Sequence, residues 1–287
     1  MAAVYKRELR GFFTTMTGYV YTAFMLALGG IYFTVYNLRG GYAEFGITLT
    51  QMTVLLLVGA PLLTMRMLGD ERRQKTDQLL FTSPAGIGGI VAGKYLAVLT
   101  LYALPLLGYC FFPLILTRYA QVSLPLAYAS LLGYFLAGAA ALAVGMLVSA
   151  LCENPLVSAV AAFFILLLCN CAPWLTAKAS QSGFYAVLVM GGIVIAAGIL
   201  CGLATRSPIF GLAVFTVGIL ALITVYLIDT GLVSAAMAGI LGAVSLFSPL
   251  VDFVSGVFDL NALVYYFTAI ALLLLFTAQA AERRRWQ

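Results

Sequence analysis

One segment of the chain has residues that could hold a phosphate group. Residues 88–94, GGIVAGK, contain the G-x4-G-K pattern of a nucleotide-binding loop, in which backbone amides and the lysine bind phosphates. Such a loop also needs a serine or threonine after the lysine to hold Mg²⁺, and a strand before it. Here Tyr95 follows Lys94, and an apolar run continues from it. The segment therefore indicates the start of a membrane span, and the chain shows no ATP-hydrolysing site of its own.

The residues that usually carry catalysis or bind metals are scarce. The chain has no histidine, which removes the commonest metal ligand and the usual acid–base group at neutral pH. Its five cysteines lie within or at the ends of apolar runs, where we expect them to pack as small apolar residues. The acids expected on one side of the membrane, Glu44, Asp229, Asp252 and Asp259, are scattered along the sequence. A lipid-modifying enzyme is an alternative that would require folding to gather them.

The composition predicts an all-α integral membrane protein. Of the 287 residues, 63% are hydrophobic and 9% are charged, and the mean hydropathy is +1.07. Eight long uncharged runs can each supply the roughly 20 apolar residues that cross a bilayer as a helix. We expect a single membrane domain, residues 1–287, with eight transmembrane helices. The predicted spans are 17–38, 45–65, 95–117, 119–152, 154–177, 179–205, 207–228 and 260–281.

The distribution of basic residues predicts the orientation. With a cytoplasmic N-terminus and eight spans, only Arg39, Arg118 and Lys178 fall outside, and every other Lys and Arg falls inside. The formal charge of +5 therefore reflects membrane topology rather than nucleic-acid binding. A ninth crossing at 230–251 would place the basic C-terminus outside. We therefore expect an external segment, 229–259, that contains a re-entrant or interfacial element.

Residues 4–13 are expected to form an amphipathic helix in the inner membrane interface. Its apolar residues repeat at helical spacing, and its cations occupy the rest of the helical wheel, where they can approach anionic head groups. A frayed basic tail is the alternative. The apolar set is Tyr5, Leu9 and Phe12, and the cationic set is Lys6, Arg7 and Arg10.

Residues 69–84 form the one long polar stretch of the chain. Acids in its first turn favour a helix N-terminus, and Thr82-Ser83-Pro84 ends the helix after an apolar group. The pattern fits either a short cytosolic helix that docks a partner or a solvated loop. The candidate contact residues are Glu71, Arg72, Arg73, Lys75, Asp77, Leu79, Leu80 and Phe81. Glu153, in a second inner turn, is either a further contact or a plain turn residue.

Two further patterns concern the interior of the membrane domain. Ala137, Ala141, Gly145 and Ser149 recur at i+4 on one predicted span, which lets helix backbones approach closely, either within the bundle or at a dimer seam. Charged residues such as Lys94 fall near the ends of predicted spans, where long side chains can reach the interface. Proton- and ion-coupled carriers usually keep charges inside the bundle, and we expect none there.

Three segments of this sequence resemble a known family. They are residues 5–13 with 18–20, residues 70–84 with Gly93-Lys94, and residues 253–260 with 264–266 and 282–286. They are similar to the interfacial elbow helix, the cytosolic coupling region and the last span of ABC-2-type transporter permeases, of the gliding-motility/copper-processing branch and its Gram-positive relatives. The chain departs from the family pattern at Lys75, Gln78 and Ser255, and we expect it to have two spans in addition to the six-span core of the family.

The resemblance implies a permease subunit in a bacterial cytoplasmic membrane with both termini cytoplasmic. A separate ATP-binding subunit, which would bind ATP and Mg, would dock at residues 70–81, with Leu79, Leu80 and Phe81 in its groove. A second permease copy or homologue would complete the path, and an auxiliary membrane protein with an extracytoplasmic domain is a further candidate partner. The expected activity is export of an apolar or amphiphilic substrate, with no cofactor of the chain's own. The alternative is a carrier or channel that works without ATP.

Overall fold

A computed structural model describes residues 1–69, 86–152, 154–181, 245–256 and 259–283, together with the single positions and short runs 191–192, 216, 218–220, 224, 239 and 241–242. The chain divides into two compact units, residues 1–167 with 249–287, and residues 168–248. The first unit contains nearly all of the described helices. The second coincides largely with residues whose placement is not described here.

Every element found among the described residues is helical. The bounds are α1 Ala2–Thr14, α2 Thr17–Phe33 with a π-helical continuation Thr34–Arg39, α3 Phe45–Gln51, α4 Thr53–Thr64, α5 Ile87–Tyr109, α6 Phe111–Leu116, α7 Leu124–Leu151, α8 Pro155–Gln181, α9 Ser248–Val254 and α10 Leu260–Arg283. Long uninterrupted apolar runs favour helices in a membrane, because only a helix satisfies its own backbone hydrogen bonds there.

Five described helices are long and apolar enough to cross a membrane, and a sixth span results if α3 and α4 count as one. Those two helices meet at Met52 with a bend of 49°. The all-helical, multi-pass prediction is confirmed, whereas the count of eight is not. The predicted spans 179–205 and 207–228 lie largely outside the described residues, and so does the first part of the 229–259 segment, residues 229–238. At the end of that segment, the short helix α9 is described.

Helix α7 forms the centre of the first unit. Its residues are largely alanine, glycine and leucine, and the small-residue stripe is buried inside this chain: Ala137, Ala141 and Ser149 are each 0% exposed. A Cβ atom built on Gly145 would lie 3.0 Å from the Thr64 Cβ, so α4 packs directly on the stripe. The stripe therefore packs helices within the bundle and leaves no room for a dimer seam.

A row of tyrosines on α5 connects it to its neighbours. Tyr95, Tyr102 and Tyr109 stand seven residues apart, which places them on one face of the helix. Each hydroxyl donates to a backbone carbonyl of another helix: Tyr95 to Ala139 at 3.0 Å, Tyr102 to Tyr134 at 3.0 Å and Tyr109 to Met25 at 2.6 Å. In the interior of a membrane there is no water to accept these hydrogen bonds, so the hydroxyls donate to backbone carbonyls instead. The row therefore holds α2, α5 and α7 together.

Another tyrosine supports the bend between α3 and α4. The Tyr134 hydroxyl donates to the Met52 carbonyl at 3.1 Å, where the helical path is broken. A neighbouring helix that supplies a hydrogen-bond donor to a broken span is the usual way in which membrane proteins tolerate such breaks. The bend is thus built into the packing of α7 against the second span.

Short helix α9 packs on the ends of α3 and α7 in the first unit. A Cβ built on Gly46 would lie 2.7 Å from Val254 Cγ1, and one on Gly133 would lie 2.9 Å from the Phe253 side chain. The Ser130 hydroxyl donates to the Phe253 carbonyl at 3.4 Å. Two glycines thus provide the room in which α9 sits.

Candidate functional site

The predicted coupling residues lie outside the residues that the structure describes. These are Glu71, Arg72, Arg73, Lys75, Asp77, Leu79, Leu80, Phe81 and Glu153. Their role in binding a partner stays a prediction. The described residues on the predicted cytoplasmic side are α1, the end of the second span at residues 65–69, and the start of α5.

Helix α1 spans Ala2–Thr14 and contains the predicted interfacial residues. Tyr5, Leu9 and Phe12 are partly buried, whereas Lys6, Arg7 and Arg10 are exposed, so the helix has one apolar and one cationic face. No residue of α1 is fully buried. Its location in the membrane interface stays a prediction, to which this two-faced exposure is suited.

Helix α1 packs against α5 at a glycine. A Cβ atom built on Gly93 would lie 3.0 Å from the Met1 carbonyl oxygen and 3.3 Å from Val4 Cβ. A side chain at residue 93 would therefore require α1 to shift by a few tenths of an ångström. Gly93 lets the backbones of α1 and α5 approach closely.

The turn between α1 and α2 depends on an unusual backbone conformation. Met16 has φ +60°, in the left-handed region, and its side chain is 71% exposed. A left-handed conformation costs a non-glycine residue roughly 1–2 kcal/mol. The chain accepts this cost where α1 turns sharply into the first span.

A buried lysine lies beneath α1. Lys94 is 1% exposed, and its Nζ donates a 2.6 Å hydrogen bond to the Met67 carbonyl oxygen. The same Nζ lies 3.7 Å from Oε1 of Glu8 on α1, whose side chain is 20% exposed. Arg7 Nη2 also contacts Glu8 Oε1, at 2.7 Å. One carboxylate on α1 thus faces two cations, one buried and one exposed.

The position of Lys94 differs from the prediction. From the sequence, the third span was expected to begin at residue 95 and Lys94 to reach the interface. Helix α5 instead begins at Ile87, which places Lys94 about two turns inside the helix. Among the described residues Lys94 is the one buried side chain that carries a formal charge. Glu8, the acid within an otherwise basic segment, was the available signal, but spacing alone could not relate residues so far apart in the chain.

This arrangement can position helices but offers no means of catalysis. An ammonium group has three donors, and that of Lys94 donates to the Met67 carbonyl and forms an ion pair with the Glu8 carboxylate. Within the described residues no three His, Cys, Asp or Glu side chains come together in a way that could hold a metal ion. The chemistry available at this place is electrostatic anchoring.

The end of the second span is held from a second side as well. The Ser149 hydroxyl of α7 donates to the Met65 carbonyl at 3.3 Å and accepts from the Leu68 amide at 3.3 Å. The last carbonyls of a helix have no partner within it, so these side chains serve as a cap. Residues 65–68 are therefore fixed to α7 by Ser149 and to α5 by Lys94.

A protein-family model matches part of this chain. Residues 30–172, about half of the chain, match the family model described as ABC-2 family transporter protein. No curated protein and no solved structure matches the chain. The matched region contains α3 to α7, and thus Lys94, the tyrosine row and the buried small-residue stripe. The chain is thus a multi-pass membrane protein whose residues 30–172 are similar to the ABC-2 transporter family.

Proposed function

We propose that the chain is the membrane-spanning permease subunit of an ATP-driven exporter whose energy comes from a separate ATP-binding subunit. The observation that carries the proposal is the family match over residues 30–172, which encloses the polar 69–84 segment between two membrane helices. The G-x4-G-K pattern at residues 88–94 lacks the Ser or Thr that would hold Mg²⁺, and in this proposal the ATPase is another chain. Its docking site would be residues 70–81.

Docking would combine apolar insertion with charge matching. Leu79, Leu80 and Phe81 would enter a groove on the ATPase, and the charged residues from Glu71 to Asp77 would set the orientation. Two permease subunits, identical or related, would enclose the path, and closure of the ATPases would switch it between inward- and outward-open states. The transporter would lie in a bacterial cytoplasmic membrane, with both termini of this chain on the cytoplasmic side.

The chemistry of the described interior supports an apolar or amphiphilic substrate. Most of its buried side chains are apolar, and the hydroxyls of Tyr95, Tyr102 and Tyr109 are used on backbone carbonyls. A charged solute would find few partners there, and its desolvation would be costly. Export of such a substrate can be tested by ATP-dependent uptake of a panel of fluorescent amphiphiles into inside-out membrane vesicles.

The first test is a pull-down of the tagged chain from its native membranes in mild detergent. We expect an ATPase that contains G-x4-G-K-[ST] to co-purify at about one per permease, and to be lost in Leu79→Asp/Leu80→Asp. Gln78→Asp is the matched control, because it adds an acid beside the same leucines but keeps them. A chain that purifies without any ATPase and still moves solute in liposomes would instead establish an ATP-independent carrier.

A further inference from the structure

We propose that Lys94 is a positioning residue that ties helix α1, through Glu8, to the end of the second span at Met67, so that α1 and this end move as one body. The inference rests on the proposed function for its consequence, because an ATPase docked at residues 70–81 would act on the chain that follows Met67. The tie itself can be tested without any ATPase.

The electrostatics make this contact a firm one. Lys94 is 1% exposed, so its charge has been taken out of water, and its contacts include the Met67 carbonyl at 2.6 Å and the Glu8 carboxylate at 3.7 Å. Removing a partner from a buried charge is strongly unfavourable. Withdrawal of either α1 or residues 65–68 would take one of these contacts away from Lys94.

The apolar contacts of α1 leave its side chains partly exposed. None of its residues is fully buried, and its apolar side chains Tyr5, Leu9 and Phe12 are only partly covered. Its close approach at Gly93 brings it into contact with α5. The Glu8–Lys94 pair adds to this packing a polar contact at a defined position of α1 on α5.

The position of Met67 gives the tie its consequence. The Met67 carbonyl belongs to the turn that follows α4, and the polar segment begins only two residues later, at Gly69. A displacement of this turn would carry the Lys94 ammonium and Glu8 with it, because these contacts share one short polar cluster. Helix α1, with its cations Lys6 and Arg10 exposed, would follow.

The tie is measured first by disulfide formation between α1 and α5. The full chain is expressed without its native cysteines and with Val4→Cys and Gly93→Cys. Their Cβ atoms would start 3.3 Å apart, and the shift of a few tenths of an ångström that a side chain at residue 93 requires would bring them into the range of roughly 3.5–4.5 Å found in disulfides. Rates of oxidation in native membranes are followed by the loss of maleimide-polyethylene glycol labelling. We expect rapid cross-linking in this reference chain. A reference chain that does not cross-link would overturn the proposal, since α1 would not lie on α5.

Substitutions then separate the tie from general packing. Lys94→Met keeps the length of the side chain and should slow cross-linking at least tenfold, and Lys94→Arg should restore most of the rate. Glu8→Gln should slow it in the same direction, and Glu8→Gln/Lys94→Met should be no slower than Lys94→Met alone, because the two residues act as one unit. Arg118→Met removes an exposed cation elsewhere and serves as the control. An unchanged rate in both Lys94→Met and Glu8→Gln would overturn the tie.

A parallel measurement separates this inference from the proposed function. If the ATPase co-purifies with the reference chain, it should also co-purify with Lys94→Met. The factor by which the permease stimulates ATP turnover in the purified complex should, however, fall several-fold. Slower cross-linking with unchanged turnover would overturn the coupling part of the proposal. If no ATPase accompanies even the reference chain, the proposed function fails, whereas the cross-linking result still decides the tie. Glu8→Gln provides the same readouts should Lys94→Met not insert into the membrane.

Discussion

Tyr102 occupies a space that exists because residue 138 is glycine: a Cβ atom on Gly138 would lie 2.2 Å from the Tyr102 hydroxyl oxygen. The tyrosine cannot easily move aside, since it is 1% exposed and its hydroxyl is bonded to the Tyr134 carbonyl. Gly138→Ala should therefore destabilise the helix bundle by roughly 1–3 kcal/mol, the usual range for overpacking a filled core. Thermal unfolding in detergent measures this loss.

The matched control for that substitution is Gly30→Ala. Gly30 is also a glycine within a membrane helix, but a Cβ atom built there meets nothing within 4 Å. Alanine has the higher helix propensity, so Gly30→Ala should be neutral or stabilising by up to about 1 kcal/mol. Equal destabilisation by the two alanines would show that packing around Tyr102 is not the cause.

Shape should matter more than hydrogen bonding at Tyr102. The Tyr134 carbonyl that it contacts lies within helix α7, so the hydroxyl is an additional donor to a carbonyl of a regular helix. Hydrogen bonds between membrane helices average about 0.6 kcal/mol, so Tyr102→Phe should cost roughly that much. Tyr102→Ala should cost roughly 3–5 kcal/mol, because it leaves a cavity. A Phe variant as unstable as the Ala variant would contradict this division.

The small-residue stripe shows what sequence reasoning can reach, because the stripe through Ala141 follows from its i+4 repeat. The spacing of Tyr95, Tyr102 and Tyr109 contains the same kind of signal, although this row was not among the predictions. The long apolar runs likewise predicted the helical, multi-pass fold. Local periodicity contains this information because it depends on one helix at a time.

Tertiary partners were beyond the same reasoning. Whether the stripe packs within the chain or at a dimer seam depends on which helix meets α7, and Thr64 of α4 supplies the answer. Lys94 was expected at an interface because composition shows where charge occurs, not where a helix begins. Its partner Glu8 lies on a helix separated from it by two spans in sequence. The bend at Met52 has no strong sequence signal, since no glycine or proline marks it.

The elbow at Met16 predicts an ordering of substitutions. Its φ of +60° is strained for any residue with a Cβ atom, and its side chain is exposed, so packing is not a confounding factor. Met16→Gly should stabilise by up to about 1 kcal/mol, since glycine relieves the strain but also gains freedom in the unfolded chain. Met16→Val should destabilise, because β-branched residues tolerate this region least. The two midpoints of thermal unfolding in detergent give the order, and a Val variant as stable as Gly would contradict it.

The proposed orientation can be tested at two exposed residues. Gly86 precedes α5 and Gln121 precedes α7, so they flank opposite ends of the third span. In chains without native cysteines, a membrane-impermeant maleimide added to intact cells should label Gln121→Cys and leave Gly86→Cys unlabelled until the cells are permeabilised. The reason is the placement of basic residues on the cytoplasmic side. The opposite labelling pattern would reverse the topology and remove residues 69–84 from the cytosol.

Helix α1 should bind anionic membranes through its exposed cations. Removing one Lys or Arg near an anionic surface costs about 1 kcal/mol, so Lys6→Gln/Arg10→Gln in a peptide of residues 1–15 should weaken its partitioning by about 2 kcal/mol, or roughly 30-fold. Arg7 is left unchanged because it contacts Glu8. Titration with vesicles that contain phosphatidylglycerol, at low salt, measures the change. Vesicles of phosphatidylcholine alone should show little difference, because only the apolar face of Tyr5, Leu9 and Phe12 contributes there. An equal loss on both kinds of vesicle would mean that the cations act on helix formation rather than on head-group charge.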